Sequence, residues 1–237
     1  MIKIHLRADC REFGREAEVE KILKKHSQFI NFPIQLNGEL INKMQAIWYR
    51  QKREVTVDEY ERFYEHLSQS KVPYKYMLHY STDVPLAIKA VIYIPSMHQE
   101  RMQMVQESLN MHLYSRKVMI KENCQELLPH YLRFVKGVVD CEDLPLNISR
   151  ENYQDSGLVQ KLRNVLTRRT LKLIEDEMKR DKVAYDKWYA EFHQFFKEGI
   201  MIDQENKEQL MRLMRYEANN IDGQISLDEY CETMVED

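Results

Sequence analysis

The spacing of apolar residues changes character once along this chain, near Ser149, and that change limits the folds open to it. Upstream, two-residue and three-to-four-residue spacings interleave; downstream only the helical spacing remains. A plain helical bundle cannot supply the first part, and an all-β sandwich cannot supply the second. The pattern predicts a sheet covered by helices, with further helices after it.

The upstream elements follow from local signals. Ile2, Ile4, Leu6 and Ala8 alternate with Lys3, His5 and Arg7, which predicts a half-buried strand at the N-terminus. Arg15 to Ile30 contains neither Gly nor Pro and carries Ala17, Ile22 and Leu23 at helical spacing. Asn37-Gly38 between the apolar runs Phe32–Leu36 and Leu40–Ile41 predicts a hairpin. Thr56 with Glu59 forms a capping box for a helix that ends near Ser70 and gathers Tyr60, Phe63, Tyr64 and Leu67 on one face. Tyr74–Tyr80 and Leu86–Pro95 read as paired strands turned at Asp83-Val84-Pro85, and His112–Lys121 as one more. Cys124–Val135 reads as a short helix starting near Pro129.

Downstream, Leu158, Leu162, Val165, Leu166 and Thr170 make one helical stripe, and Tyr185, Trp188, Tyr189, Phe192, Phe195 and Phe196 another. Gly199 and Asp203–Asn206 separate these from Leu210–Tyr216. Ser226 with Glu229 caps a last helix. No strand is expected after Ser149. Six Gly and six Pro in 237 residues, well under the roughly 12% of an average chain, agree with few turns and long elements. The fold class expected is α/β: a layered α/β/α sandwich followed by a helical segment.

Composition excludes several function classes. Thirty-five Lys and Arg against 38 Asp and Glu leave a charge of −3, so no global basic field recruits nucleic acid or anionic membrane. No run of 18 apolar residues reads as a membrane span, and the first twenty residues are too charged for a secretory segment. Cys10, Cys124, Cys141 and Cys231 are scattered without a C-x-x-C pair, so reduced thiols are expected and a metal is not. No glycine-rich phosphate loop, nucleophile elbow or H-E-x-x-H helix occurs.

Three local features remain. Ala218–Glu229 fits a calcium loop at Asn220, Asp222, Gly223, Ile225 and Glu229, but Ala218 stands where the first carboxylate belongs, and a helix-turn-helix connection explains it as well. Ser149 as a helix N-cap puts Arg150 in the first turn, where the macrodipole disfavours a cation unless an anion meets it. Such an arginine suits a phosphate arriving from outside, as an arginine finger does, or pairs structurally with Asp140, Glu142 or Asp143. Trp48, in the island Gln45-Ala46-Ile47-Trp48 before Gln51, Lys52, Arg53 and Glu54, is either a core residue, its commoner role, or an exposed aromatic contact.

The strings Phe32–Gly38 (FPIQLNG), Gln45–Trp48 (QAIW), Leu113–Ile120 (LYSRKVMI), Leu128–Glu151 (LPHYLRFVKGVVDCEDLPLNISRE) and Leu213–Glu217 (LMRYE) resemble the middle domain of the ATP-dependent heat-shock-protein-90 chaperones. LYSRKV and QAIW are most similar to the mitochondrial branch. The resemblance implies a large α/β/α subdomain with a catalytic loop over 1–155, connecting helices over 156–198 and the leading helices of a truncated smaller subdomain over 199–237. It implies that Arg150 contacts the γ-phosphate of ATP, with Gln154 as a second catalytic-loop residue and Asn147 shaping the loop. Leu144 and Leu146 would pack the loop against the partner domain, and Trp48 would contact client. ATP, with its Mg2+, would be held mainly by an N-terminal ATPase domain absent from this chain, so the fragment alone is expected to be inactive. Implied partners are that domain, a C-terminal dimerisation domain and unfolded client proteins, in a homodimer of the mitochondrial matrix. The rival readings are a non-enzymatic interaction scaffold with a structural Arg150, and a calcium-responsive module using Asn220, Asp222 and Glu229.

Overall fold

A computed structural model describes residues 2–30, 32–42, 44–101, 106–144, 156–219 and 221–234. Helix α1 (Glu16–Ser27) precedes the hairpin β1 (Gln35–Leu36) and β2 (Glu39–Leu40), whose turn residues Asn37 and Gly38 both have positive φ, as the sequence predicts. A 3-10 turn at Ile47–Tyr49 leads to α2 (Val57–Ser68), opened by the expected Thr56–Glu59 capping box. The sheet comprises β3 (Tyr74–Thr82), β4 (Ile88–Pro95), β5 (Asn110–Ser115), β6 (Val118–Lys121) and β7 (Lys136–Cys141), in the order β3-β4-β7-β5-β6. Among the described residues only the β5–β7 pair is parallel; its crossover contains a 3-10 turn at His130–Leu132 with Pro129 as N-cap. After it come α3 (Ser156–Arg180), α4 (Lys182–Ile202), α5 (Lys207–Leu213), a hairpin β8 (Tyr216–Ala218) and β9 (Ile221–Ile225), and α6 (Leu227–Thr233).

Both faces of the sheet are covered, which makes the central strands near-continuous apolar runs. Along β4, Val91 and Tyr93 face a core built with Phe29, Trp48, Phe63 and Tyr64, whereas Ala90, Ile92 and Ile94 face a second core shared with α3, α4 and α5. The stripe Tyr185–Phe196 fills that second core, with Trp188 and Phe192 stacked at 4.4 Å. Arg133, 2% exposed, joins the loop after β4 to α4 by donating to Glu100 and to Glu198. The layered α/β/α architecture followed by helices is therefore present.

Five local expectations are corrected. Ile2, Ile4 and Leu6 are exposed and in no strand; the segment pairs with nothing among the described residues, and alternation without a partner makes no sheet. His112–Lys121 is part of a hairpin, turned at Arg116-Lys117, where both residues have positive φ without being Gly or Asn. The helix expected over Cys124–Val135 is a single 3-10 turn at His130–Leu132, after which the chain enters β7 at Lys136. Gly199 does not break α4 but lies buried inside it, where Tyr131 and Leu210 approach so closely that a Cβ would meet both at 2.9 Å. Finally, strands do follow Ser149: Tyr216–Ile225 is an antiparallel hairpin.

Candidate functional site

The C-terminal end of β7 is where the chain enters the segment bearing Arg150. Asp140, in the run Gly137-Val138-Val139-Asp140-Cys141, is 1% exposed. Its Oδ1 accepts the Arg116 backbone N–H at 2.8 Å, and its Oδ2 accepts the Lys117 N–H at 2.7 Å and the Trp48 indole N–H at 3.2 Å. Burial pushes the Asp140 pKa above the ordinary carboxylate value, while these three donors pull the other way. The carboxylate is thus what permits a positive-φ turn at Arg116-Lys117: it collects the two N–H groups that the turn points inward.

Beside it, the Tyr49 ring lies under two ammonium groups, Lys89 and Lys117, each 4.4 Å from its centroid. Its hydroxyl donates to Glu142 Oε1 at 3.3 Å, and the same oxygen takes the Lys89 ammonium at 2.7 Å. Burial, and then the charges of Asp140 and Glu142, raise the Tyr49 pKa far above the phenol range, so it keeps the proton it donates to Glu142. The Lys89 hydrogen bond holds Glu142 below its ordinary value. Asp143 Oδ2 accepts the Ala87 N–H at 2.7 Å, and Glu142 N–H returns to the Ala87 carbonyl at 3.2 Å. The strand end is locked to β4 and its preceding turn by side chain and backbone alike.

The residues expected to act fall on two sides of this boundary. Leu146, Asn147, Arg150 and Gln154 lie outside the described residues. Leu144 is described and buried in the chain's own second core. Trp48 is 1% exposed, in edge contact with Phe29 at 4.8 Å and tilted on Tyr114 at 5.1 Å. A client contact at Trp48 therefore has no exposed face to use; the core role is the one it has. The calcium reading draws no support from the described residues: its segment forms β8 and β9, Asn220 lies outside them, and Glu229 spends its carboxylate on the Ser226 N–H and on Lys182. Among the described residues no cluster of His, Cys, Asp and Glu could hold a metal.

In the sequence Asp140 reads only as an ion-pair partner for Arg150, and Tyr49, Lys89 and Lys117 carry no signal of a role. One signal was available, an acid inside an otherwise apolar strand, since a buried carboxylate demands donors. Which donors answer it depended on a contact across 92 residues that spacing does not encode.

The family described as "Hsp90 protein" matches residues 36–237. The "TNF receptor-associated protein 1 homolog, mitochondrial" of Dictyostelium discoideum is 41% identical over 98% of this chain and 34% of its own length. The "Heat shock protein 75 kDa, mitochondrial" of Rattus norvegicus is 40% identical over 98% of the chain and 34% of its length. "Chaperone protein HtpG" of Desulfotalea psychrophila is 37% identical over 97% and 37%. The chain spans about a third of the length of these curated relatives. No helix among the described residues is long and apolar enough to cross a membrane. A layered α/β/α sheet with helices after it, matched by the family along most of its length, makes this chain a member of the Hsp90 protein family of molecular chaperones, similar to its mitochondrial branch.

Proposed function

We propose that this chain is the middle portion of an ATP-dependent chaperone and supplies Arg150 to the γ-phosphate of ATP held by a separate N-terminal domain. Closure of the two domains carries the Arg150 guanidinium to the phosphate, where it stabilises the charge that develops during transfer to water. Gln154, four residues further on in sequence, supports it; Asn147 shapes the loop, and Leu146 packs it against the ATP-bearing domain. Leu144 anchors the loop's base in this chain's own core. The working protein is a homodimer of the mitochondrial matrix whose partners are its own ATPase and dimerisation domains and unfolded clients.

The observation that supports this reading is the commitment of the three acids just upstream of Arg150 in sequence. Asp140 serves Trp48, Arg116 and Lys117; Glu142 serves Lys89 and Tyr49; Asp143 serves Ala87. Each was a candidate to neutralise Arg150 structurally, and each already holds another group. An arginine whose upstream acids are spoken for suits an anion from outside the chain.

Steady-state ATP hydrolysis by the chain joined to its ATPase and dimerisation domains tests this, with Arg150→Ala as the variant. Arginine fingers contribute about 10³–10⁵ in rate, and a loss beyond tenfold is the expected result. Unchanged turnover would make Arg150 structural and the domain an interaction scaffold.

A further inference from the structure

Little holds helix α1 to the rest of the chain. It buries no residue over Glu16–Ser27, its start has no side-chain cap, and a cavity of about 520 Å³ separates it from α2 and the β5–β6 hairpin. The residue that pins it is Phe29, just past its end, buried against Trp48 at 4.8 Å and Tyr114 at 5.7 Å. Along the helix itself, one ion pair among the described residues reaches beyond α1: Lys25 to Glu122, the residue after β6, at 2.7 Å. Lys24 pairs within the helix, with Glu20. An element with so few buried contacts opens ahead of the fold around it.

Glu122 is the only carboxylate among the residues lining that cavity, where it meets Lys21, Lys24, Lys25, His66 and His112. His112, on β5, is buried. Its Nδ1 accepts the backbone N–H of Asn123 at 3.3 Å, the residue next to Glu122, where the chain turns with positive φ. An imidazole nitrogen accepts only while it carries no proton. Proton uptake at Nδ1 sets N–H against N–H, and it creates a cation that the Glu122 charge favours and the His66 and Lys25 charges oppose. His26, on α1, acts on the same carboxylate. Burial raises the Tyr114 phenol far above neutrality, so it stays uncharged, and β6 and β7 bring only Met119 and Val138 to the cavity. One proton therefore breaks the hydrogen bond at Asn123 and gives Glu122 a second cation to serve in place of Lys25.

We propose that His112 is a proton-operated latch on α1: with His112 neutral the helix lies closed over the cavity, and protonation releases it to swing about Phe29, uncovering Phe63, Leu67 and Tyr114 beneath. The latch sets how much apolar surface this part of the molecule shows. Its sign follows from burial, which lowers the His112 pKa below the ordinary value of about 6.5. The released form takes up the proton more readily and gains as pH falls; the closed form is fully favoured above that ordinary value. Arg150 has no part in it.

Amide hydrogen exchange of the 237-residue chain at about pH 8 and about pH 5.5, corrected for intrinsic rates, tests this. Protection over Glu16–Ser27 is expected to fall by about fivefold or more at the lower pH, while α2 and β4 keep theirs. His112→Asn, whose amide oxygen replaces Nδ1 as acceptor but takes no charge, should hold α1 closed at both pH values. Glu122→Gln, at an exposed side chain, should leave α1 loose at both, and His66→Gln should leave the response in place. The unfolding midpoint of each variant is measured alongside. Equal protection of α1 at the two pH values in the parent would overturn the proposal. So would a response that survives in His112→Asn or one that vanishes in His66→Gln. Should His112→Asn fail to fold, Glu122→Gln decides: α1 as protected at the higher pH as in the parent would mean that no latch is there.

Discussion

The Trp48 indole N–H donates to the Asp140 carboxylate at 3.2 Å, joining a 3-10 turn to the strand 92 residues later that leads into the Arg150 segment. Because Asp140 also accepts two backbone N–H groups from the β5–β6 turn, three separate stretches of chain meet at one buried carboxylate. Hydrogen bonds to a charged group are worth about 1.5–3 kcal/mol each. Trp48→Phe should therefore cost about 2–4 kcal/mol, the lost bond plus a small cavity. In a double-mutant cycle with Asp140→Asn, measured by urea unfolding, the two changes should couple by at least about 1 kcal/mol. Additive effects would mean that the contact contributes nothing.

Gly137 lies at the centre of the sheet, in the strand that carries Asp140. A Cβ there would meet the Val91 carbonyl oxygen at 2.5 Å and the Ile92 Cα at 3.1 Å, both backbone atoms of β4 that cannot step aside. Gly137→Ala should destabilise by about 1–3 kcal/mol or more through overpacking, whereas the same change at exposed Gly38, with open space around it, should act only through its backbone conformation. Thermal unfolding of the two variants separates these causes.

Asp203 supplies a pH dependence of defined sign. Burial raises its pKa, but the Tyr131 hydroxyl at 2.7 Å and the Asn206 amide at 2.8 Å outweigh burial and hold it below the ordinary carboxylate value. A depressed carboxyl contributes stability above its unfolded pKa of about 3.9 and loses it as pH falls through the folded value. Asp203→Asn should thus be less stable than the parent at pH 7, and the gap should close as pH falls below the unfolded value. Urea midpoints at pH 7, 4 and 3 provide the check; a gap that widens on acidification would reverse the sign.

How far the sequence revealed the fold depends on how local each cause is. The Asn37-Gly38 hairpin, the Thr56–Glu59 and Ser226–Glu229 capping boxes and the stripe Tyr185–Phe196 were legible because each cause lies within a few residues. The Arg116-Lys117 turn was not, because its residue types argue against positive φ and only Asp140, 24 residues later, makes it tenable. The Ile2–Ala8 alternation misled for the reverse reason: a periodicity states which side chains want burial, not whether a partner strand is there. Of the site, Trp48 as a core residue was open to sequence reasoning. The commitment of Asp140, Glu142 and Asp143 was not, since the partners of all three come from distant strands and turns.

The central claim is that Arg150 acts on the transition state of ATP hydrolysis and not on the fold. Single-turnover hydrolysis by the full-length protein at saturating ATP, for the parent, Arg150→Lys and Arg150→Ala, separates chemistry from binding, with the ATP dissociation constant measured on the same samples. The account predicts an unchanged dissociation constant and unfolding midpoint, a rate falling more than tenfold in Arg150→Ala, and an intermediate loss in Arg150→Lys, which keeps the charge but not the planar fork. Equal single-turnover rates in all three proteins would contradict it.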